Sequence, residues 1–489
     1  MNNWFFASGD LGFIWGEQIA AFSWLPRVFH GDIGFGFNGL LSLWLDYPFR
    51  LFIKLLSGVG ISWFISEKLL WLFVFAIAVY SSYKLVRHWT GSVMYSANTY
   101  FLLLFTGGQL GVALAYAYAP FVFYRFMKHQ KPNVKEQVIN GLCLALLVTF
   151  DLRIAFLVVI ATVFWWSRSM LSLIVAGTIH IFWILPTLLA SHGTAGLGSE
   201  FTNPGMLKFL SFTDFSHALA LLHPNWPENL FGKVYFLQPE FLVIPIIAFG
   251  ALLFTKEKTV RFFALLALIG AFFAKGVNDP SGGLFQWMFV HVPGFVMFRD
   301  PTKFYLYIAI SYAVLTPVII KKNKYFGIIF IIFWIFTLRG VIVNPVQTPQ
   351  EYVVFKNVLI SDGVPSRTLW IPAKENFAYY SDTHPILTAT DSSIIDPSVK
   401  YVVVPIDVSK RIFLNDYKYD AALRSTIIES IPFPRDQRFH DLAVFENPGF
   451  TGMHVTVPAE AVRQQQLANI GAGISAVFLL FWLLWIYLH

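Results

Sequence analysis

The chain has 489 residues, 56 % of them hydrophobic, 18 % aromatic and 13 % charged, with a mean hydropathy of +0.60. That balance excludes a soluble globule and defines a polytopic membrane protein. The formal net charge of +7 comes from short basic clusters between apolar runs, so it reports membrane topology rather than nucleic-acid binding, and the single cysteine, Cys143, excludes an intrachain disulfide.

The opening run, MNNWFFASG, is too short for a signal peptide or a span, and a polar-aromatic stretch starts at once with Asp10. The expectation is that a first helix precedes this segment. Residues 1–65 then read as a first extracytoplasmic loop carrying Asp10, Glu17, Asp32 and Asp46 with Arg27, Arg50 and Lys54. Within it, Asn38 to Ser57 reads as an interfacial helix interrupted at Pro48.

Spans are predicted at 67–85, 92–106, 110–127, 136–150, 154–167, 170–189, 241–254, 262–275, 304–320, 325–342 and 467–488. The fold class is therefore mainly α: a transmembrane helix bundle of about 11 spans, or 12 with a preceding first helix. The basic connections hold Lys84 and Arg87, then Arg125, Lys128, Lys131 and Lys135, then Arg168, then Lys256, Lys258 and Arg261, then Lys321, Lys322 and Lys324. Only Glu136 and Glu257 oppose them, and strict alternation puts them all on one side, which the positive-inside rule makes cytoplasmic. The polar loops 1–65, Asp151 to Arg153, 191–240, 276–303 and 343–466 then share the extracytoplasmic face. Connections are usually short, so this gathering of long ones predicts a cavity at that membrane surface.

Charge, Pro and Asp/Asn turns return in residues 343–466, which read as a small extracytoplasmic α/β domain. Strands are predicted at Arg367 to Pro372, Lys400 to Asp407, Leu442 to Glu446 and Met453 to Pro458, with a helix near Tyr419 to Ser430. The run YVVVPI suggests a strand covered on both faces. The organisation is thus a first loop (1–65), a helical core (66–342), the α/β domain (343–466) and a last transmembrane helix (467–489).

The most informative stretch is Lys275 to Phe304, KGVNDPSGGLFQWMFVHVPGFVMFRDPTKF, which sets Arg299, Asp300 and Lys303 at the start of a span. Charges at that depth are costly unless they serve a polar ligand or one another, so the stretch is a candidate functional site at the membrane boundary. The alternative is that Arg299 and Lys303 anchor the interface while Asp300 N-caps a helix before Pro301. Asp151 and Arg153, in the short loop TFDLRIAF, read either as a self-satisfied pair or as a phosphate-binding guanidinium with its carboxylate.

Asp10 and Glu17 would stand on one face two turns apart if their segment were helical. A carboxylate there has the character of a general base for a sugar hydroxyl; the competing reading is solvated loop acids. His223 and Trp226, in the loop HPNWPE, would shape a sugar-stacking surface or anchor the interface. His30, His180, His192 and His291 lack metal-ligand spacing, and no tight Asp-x-Asp pair demands a divalent ion, which leaves a requirement for Mg or Mn open.

Taken together, GDLGFIWGEQI, LDYPFRLFIKLL, SSYKLVRHWTGS, YAPFVFY and above all KGVNDPSGGLFQWM with VPGFVMFRDPTKF resemble the GT-C superfamily of membrane glycosyltransferases. The likeness is to the bacterial YfhO-type proteins, which decorate cell-envelope polymers, and to the arabinofuranosyltransferase-like branch. It implies an enzyme of the cell membrane that takes sugar from a polyprenyl-phosphate donor and hands it to a glycan, glycolipid or protein acceptor outside the cytoplasm. On that resemblance Asp10 matches the catalytic base, with Glu17 as runner-up. Arg299, Lys303 and Arg153 would bind the donor phosphate, and Asp300, Asp151, His223 and Trp226 would shape the site. Such transfer needs no nucleic acid and no soluble nucleotide. The alternatives are a transporter or flippase of an envelope lipid or glycan, for which paired repeats are wanting, and a non-catalytic membrane assembly subunit.

Overall fold

A computed structural model describes residues 4–5, 10–128, 131–166, 169–189, 204–222, 239–321, 324–337, 346–371, 376–392, 395–406 and 421–489. The chain forms two compact units: residues 1–69, 181–195 and 343–475 make up the first, and residues 70–180, 196–342 and 476–489 the second. The first loop thus clusters with the α/β segment, which lies some 300 residues away in the chain.

Every predicted span contains helix, and among the described residues four helices are long and apolar enough to cross a bilayer unaided: Trp63–Val86, Leu110–Lys128, Pro301–Ile320 and Ala459–Leu488. The helices Met170–Ile179 and Ile181–Leu189 pass the same test only as one broken span, and Leu152–Thr162 and Val243–Phe254 are shorter apolar helices. The stretch 92–106 divides into Trp89–Ser96 and Thr99–Thr106 because the Asn98 side chain accepts from the Phe101 N–H and caps the second piece. At the helix Val134–Phe150 a reciprocal capping box does the same work, Asn133 Oδ1 accepting from Glu136 N–H and Glu136 Oε2 from Asn133 N–H.

Unit 2 is packed by small residues and by aromatic rings, several of whose hydroxyls reach backbone carbonyls. Tyr95 and Tyr116 stack at 4.4 Å, and each hydroxyl donates to the other's backbone carbonyl, at 2.6 and 2.9 Å. Buried phenols in an apolar bundle need such acceptors, so the pair locks the helix register as well as filling space. Gly91 lies so close to the Ala313 carbonyl that a Cβ would sit 2.2 Å from it, and at Gly270 one would sit 2.8 Å from Tyr307 Cβ. Such close backbone approach is the usual means of helix association where apolar burial gives no net drive.

Unit 1 holds all eight strands seen among the described residues. Strand β1 (Trp4–Phe5) pairs with β4 (Val346–Gln347), and β2 (Phe29–His30) with β3 (Phe37–Asn38), both antiparallel. The main sheet, in the order β6 (Ile386–Thr388), β5 (Arg367–Trp370), β7 (Val399–Pro405), β8 (Leu442–Glu446), is parallel except for β8. Val402 and Val404 of β7 join Ile427 of the helix Ala421–Ser430 in one core, while Tyr401 meets Phe355 of the helix Gln350–Asp362 on the other face. The apolar run YVVVP is therefore covered on both sides, as its composition suggests. Glu351 ties that second helix to the sheet by accepting the backbone N–H groups of His440, Asp441 and Leu442.

Three sequence expectations need correction. The helix Leu43–Gly58 runs through Pro48, its sixth residue, without interruption, at the cost of the one i−4 hydrogen bond that Pro48 cannot donate. Residues 453–458 form no strand; Arg367 donates to the His454 carbonyl and holds this stretch as a connection. Asp10 lies in a turn and the helix begins only at Gly16, so Asp10 and Glu17 do not share a helical face.

Candidate functional site

In unit 2 the turn between the helices Val134–Phe150 and Leu152–Trp166 is built on Asp151. Its carboxylate accepts the N–H groups of Arg153 and Ile154, capping the second helix, and takes the Arg153 guanidinium at 2.5 Å. A second aspartate repeats the device. Asp300 accepts Thr302 N–H and Oγ1–H at 3.0 and 2.6 Å, with Pro301 at the first helical position, and receives Lys303 Nζ at 2.5 Å. Both local readings of these residues, cap and ion pair, are thus present in the geometry.

The two devices converge. Phe156 and Phe298 meet at 5.9 Å, and the Tyr307 hydroxyl donates to the Leu157 carbonyl at 2.7 Å, so the helix after Arg153 packs on the segment that carries Arg299 to Lys303. Arg153 acts electrostatically on Asp300 and on Arg299, and Tyr100 lies within reach of Asp151, Asp300 and Arg153. Burial pushes the Asp300 carboxyl up, but the Lys303 ammonium and the hydrogen bonds of Lys303 and Thr302 outweigh it and hold the carboxyl well below the usual carboxylate range. Three cations, Arg153, Arg299 and Lys303, thus gather with the two carboxylates of Asp151 and Asp300. Asp151 and Lys303 are almost wholly buried, at 1 % and 2 % side-chain exposure, whereas Arg153 keeps 29 %. The guanidinium can therefore meet a ligand without dismantling the core of the cluster.

Asp10 and Glu17 belong to unit 1, where residues 376–380 hold their segment. Phe13 N–H donates to the Asn376 carbonyl, Trp15 Nε1–H to Phe377 and the Gln18 amide to Tyr380. Asp10 is exposed. Glu17 is engaged by Lys356 at 2.5 Å; burial raises its carboxyl, but the Lys356 hydrogen bond and charge, with a backbone hydrogen bond, together bring it below the ordinary value. Lys356 lies over the Trp15 ring at 4.9 Å, so this bridge anchors the start of the helix Gly16–Ala21. His223 and Trp226 lie outside the described residues. Among the described residues no three His, Cys, Asp or Glu side chains are placed to hold a metal ion.

Sequence reasoning passed over a second charge cluster, also in unit 1. Asp32 lies 3.5 Å from Arg27 and 3.7 Å from His30; His30 also faces Asp46 at 3.6 Å, and Asp46 pairs with Arg50 at 2.8 Å. Arg27 in turn bridges to Asp382, and Ile386 N–H donates to the Asp32 carbonyl, which ties the first loop to the edge strand β6. Burial raises the Asp32 carboxyl, yet His30, Arg27 and Arg50 outweigh it and bring it down from 3.8 to about 2. A depressed carboxylate stabilises the fold above its unfolded value and loses that contribution as pH falls through the folded one. Wild type is accordingly expected to exceed Asp32→Asn by on the order of 2 kcal/mol at pH 6, the gap closing near pH 2. Hydrogen exchange of residues 28–50 across that range checks it, and a gap independent of pH refutes the assignment.

Comparison of the chain with protein-family profiles, with curated proteins and with solved structures returns no match. The class of protein that fold and site define is a helical protein with several helices fit to span a membrane and a two-sided α/β layer in its other unit.

Proposed function

We propose that this chain is a membrane glycosyltransferase that moves a sugar from a polyprenyl-phosphate donor to a glycan, lipid or protein acceptor of the cell envelope, on the extracytoplasmic face. The observation that carries the reading is the convergence of Arg153, Arg299 and Lys303 about Asp151 and Asp300 beside the span Pro301–Ile320. A polyprenyl-phosphate sugar is a phosphodiester with one negative charge, which guanidinium and ammonium groups can receive. As the acceptor hydroxyl oxygen bonds to the anomeric carbon, the carbon–phosphate oxygen bond breaks and its electron pair leaves with the phosphate. Cations already fixed there stabilise that developing charge without reorganising, and the transition state is oxocarbenium-like. The proton of the acceptor hydroxyl passes to a carboxylate, a role for which the resemblance to the GT-C superfamily offers Asp10, with Glu17 as runner-up.

The test is release of polyprenyl phosphate when purified protein meets a panel of polyprenyl-phosphate sugars and a membrane-glycan extract. Turnover with at least one donor, lost on substitution of Arg153 by methionine, is the expected result. A well-folded wild type inert toward every donor shifts the reading to a lipid transporter or a non-catalytic assembly subunit.

A further inference from the structure

A cavity of about 220 Å³ lies at the end of unit 2 where the basic connections gather. It is lined by Leu85 from the last turn of the helix Trp63–Val86, by Tyr124, Met127 and Lys128 from the last turns of Leu110–Lys128, by Thr259 and Phe263 from the start of Lys258–Ala274, and by Val314. Its volume falls short of the roughly 300 Å³ at which drug-sized ligand pockets begin, which suits one part of a ligand rather than the whole. The inner wall is apolar, formed by Leu85, Met127, Phe263 and Val314, while the rim is polar.

At that rim Arg87 Nη2 stands 3.5 Å from the Tyr124 hydroxyl, and Lys128 Nζ lies 5.9 Å from the Tyr124 ring. Arg87 and Lys128 are exposed. Lys84 adds a third cation one residue before the lining Leu85, and the acid nearest in sequence to the lining residues, Glu257, is flanked by Lys256 and Lys258. Two spans therefore end side by side with basic last turns above an apolar cleft. Basic last turns suit the helix dipoles, but the dipoles do not require an open apolar slot beneath them.

We infer that this cleft is a binding site for an anionic phospholipid, with an acyl chain against Leu85, Met127, Phe263 and Val314 and the headgroup phosphate held by Arg87, Lys128 and the Tyr124 hydroxyl. Basic pockets between transmembrane helices hold anionic headgroups through this pairing of charge and apolar depth. The inference is independent of the proposed sugar transfer, since it uses none of those residues.

The experiment is native mass spectrometry of the full chain released from nanodiscs of mixed phosphatidylglycerol and phosphatidylcholine. Wild type retains one phosphatidylglycerol in preference to phosphatidylcholine. In Arg87→Gln/Lys128→Gln retention falls roughly tenfold to thirtyfold, the loss expected for two basic residues near an anionic lipid. Both side chains are exposed, so this variant keeps its fold, which an unchanged unfolding midpoint in phosphatidylcholine nanodiscs verifies. Val314→Phe, which fills the cleft and leaves the charges in place, reduces retention as well. Equal retention of the two lipids by wild type, or equal phosphatidylglycerol retention by wild type and the double variant, overturns the site.

Discussion

Lys303→Met is expected to lower the stability of the protein by about 3 kcal/mol, because it leaves Asp300 charged without its ammonium partner in a site from which water is largely excluded. The double variant Asp300→Asn/Lys303→Met is expected to recover roughly half or more of that loss. Asparagine still accepts the Thr302 N–H as an N-cap, and no unpaired charge remains. Thermal unfolding in detergent measures both. Sugar transfer separates stability from chemistry: the double variant folds but does not turn over if Lys303 meets the donor phosphate. A double variant as unstable as the single one shows that the pair does not act as a unit. A stable and fully active double variant removes Lys303 from the proposed donor site.

Asp10→Asn is expected to reduce transfer about 10²- to 10⁴-fold, the range for loss of a general base, while donor affinity stays unchanged. Asp10 is exposed, so the substitution should cost no more than about 0.5 kcal/mol of stability. Glu17→Gln, at the runner-up position, should have a smaller effect on rate while removing the Lys356 bridge. Single-turnover kinetics with a bound donor distinguishes the two. If Glu17→Gln abolishes transfer and Asp10→Asn does not, the base lies at Glu17 and the Lys356 bridge must open during the reaction.

Much of the helical architecture was legible because apolar length and basic connections are one-dimensional signals. The basic last turns of Trp63–Val86 and Leu110–Lys128, taken from alternation alone, do meet at one end of unit 2 around a single cleft. The Phe298 to Lys303 element was likewise visible, since charge at the foot of an apolar run stands out wherever it occurs. The helix Gln350–Asp362 was legible but passed over: Pro349 before it and Gly363 in the left-handed region after it, φ 67°, are the ordinary start and stop signals. Tyr100, within electrostatic reach of the charge cluster, carried only the weak signal of a polar-aromatic Asn-Thr-Tyr in an apolar run.

Local sequence, then, is enough to say that this chain is mainly helical with several helices apolar enough to cross a membrane, to place most of its helices, and to pick out Asp151, Arg153, Arg299, Asp300 and Lys303 as unusual, because hydropathy, capping and charge act over a few residues. The partners of those residues follow from packing. Asp32 finds Arg27 and His30 nearby, but Arg27's other partner, Asp382, and Glu17's partner, Lys356, lie more than 300 residues along the chain. Arg153 comes to act on Asp300 only through the seating of Phe156 on Phe298 and of Tyr307 on Leu157. No short-range pattern encodes such pairings: they arise when buried apolar surface brings distant segments together, and the charges there must then satisfy one another.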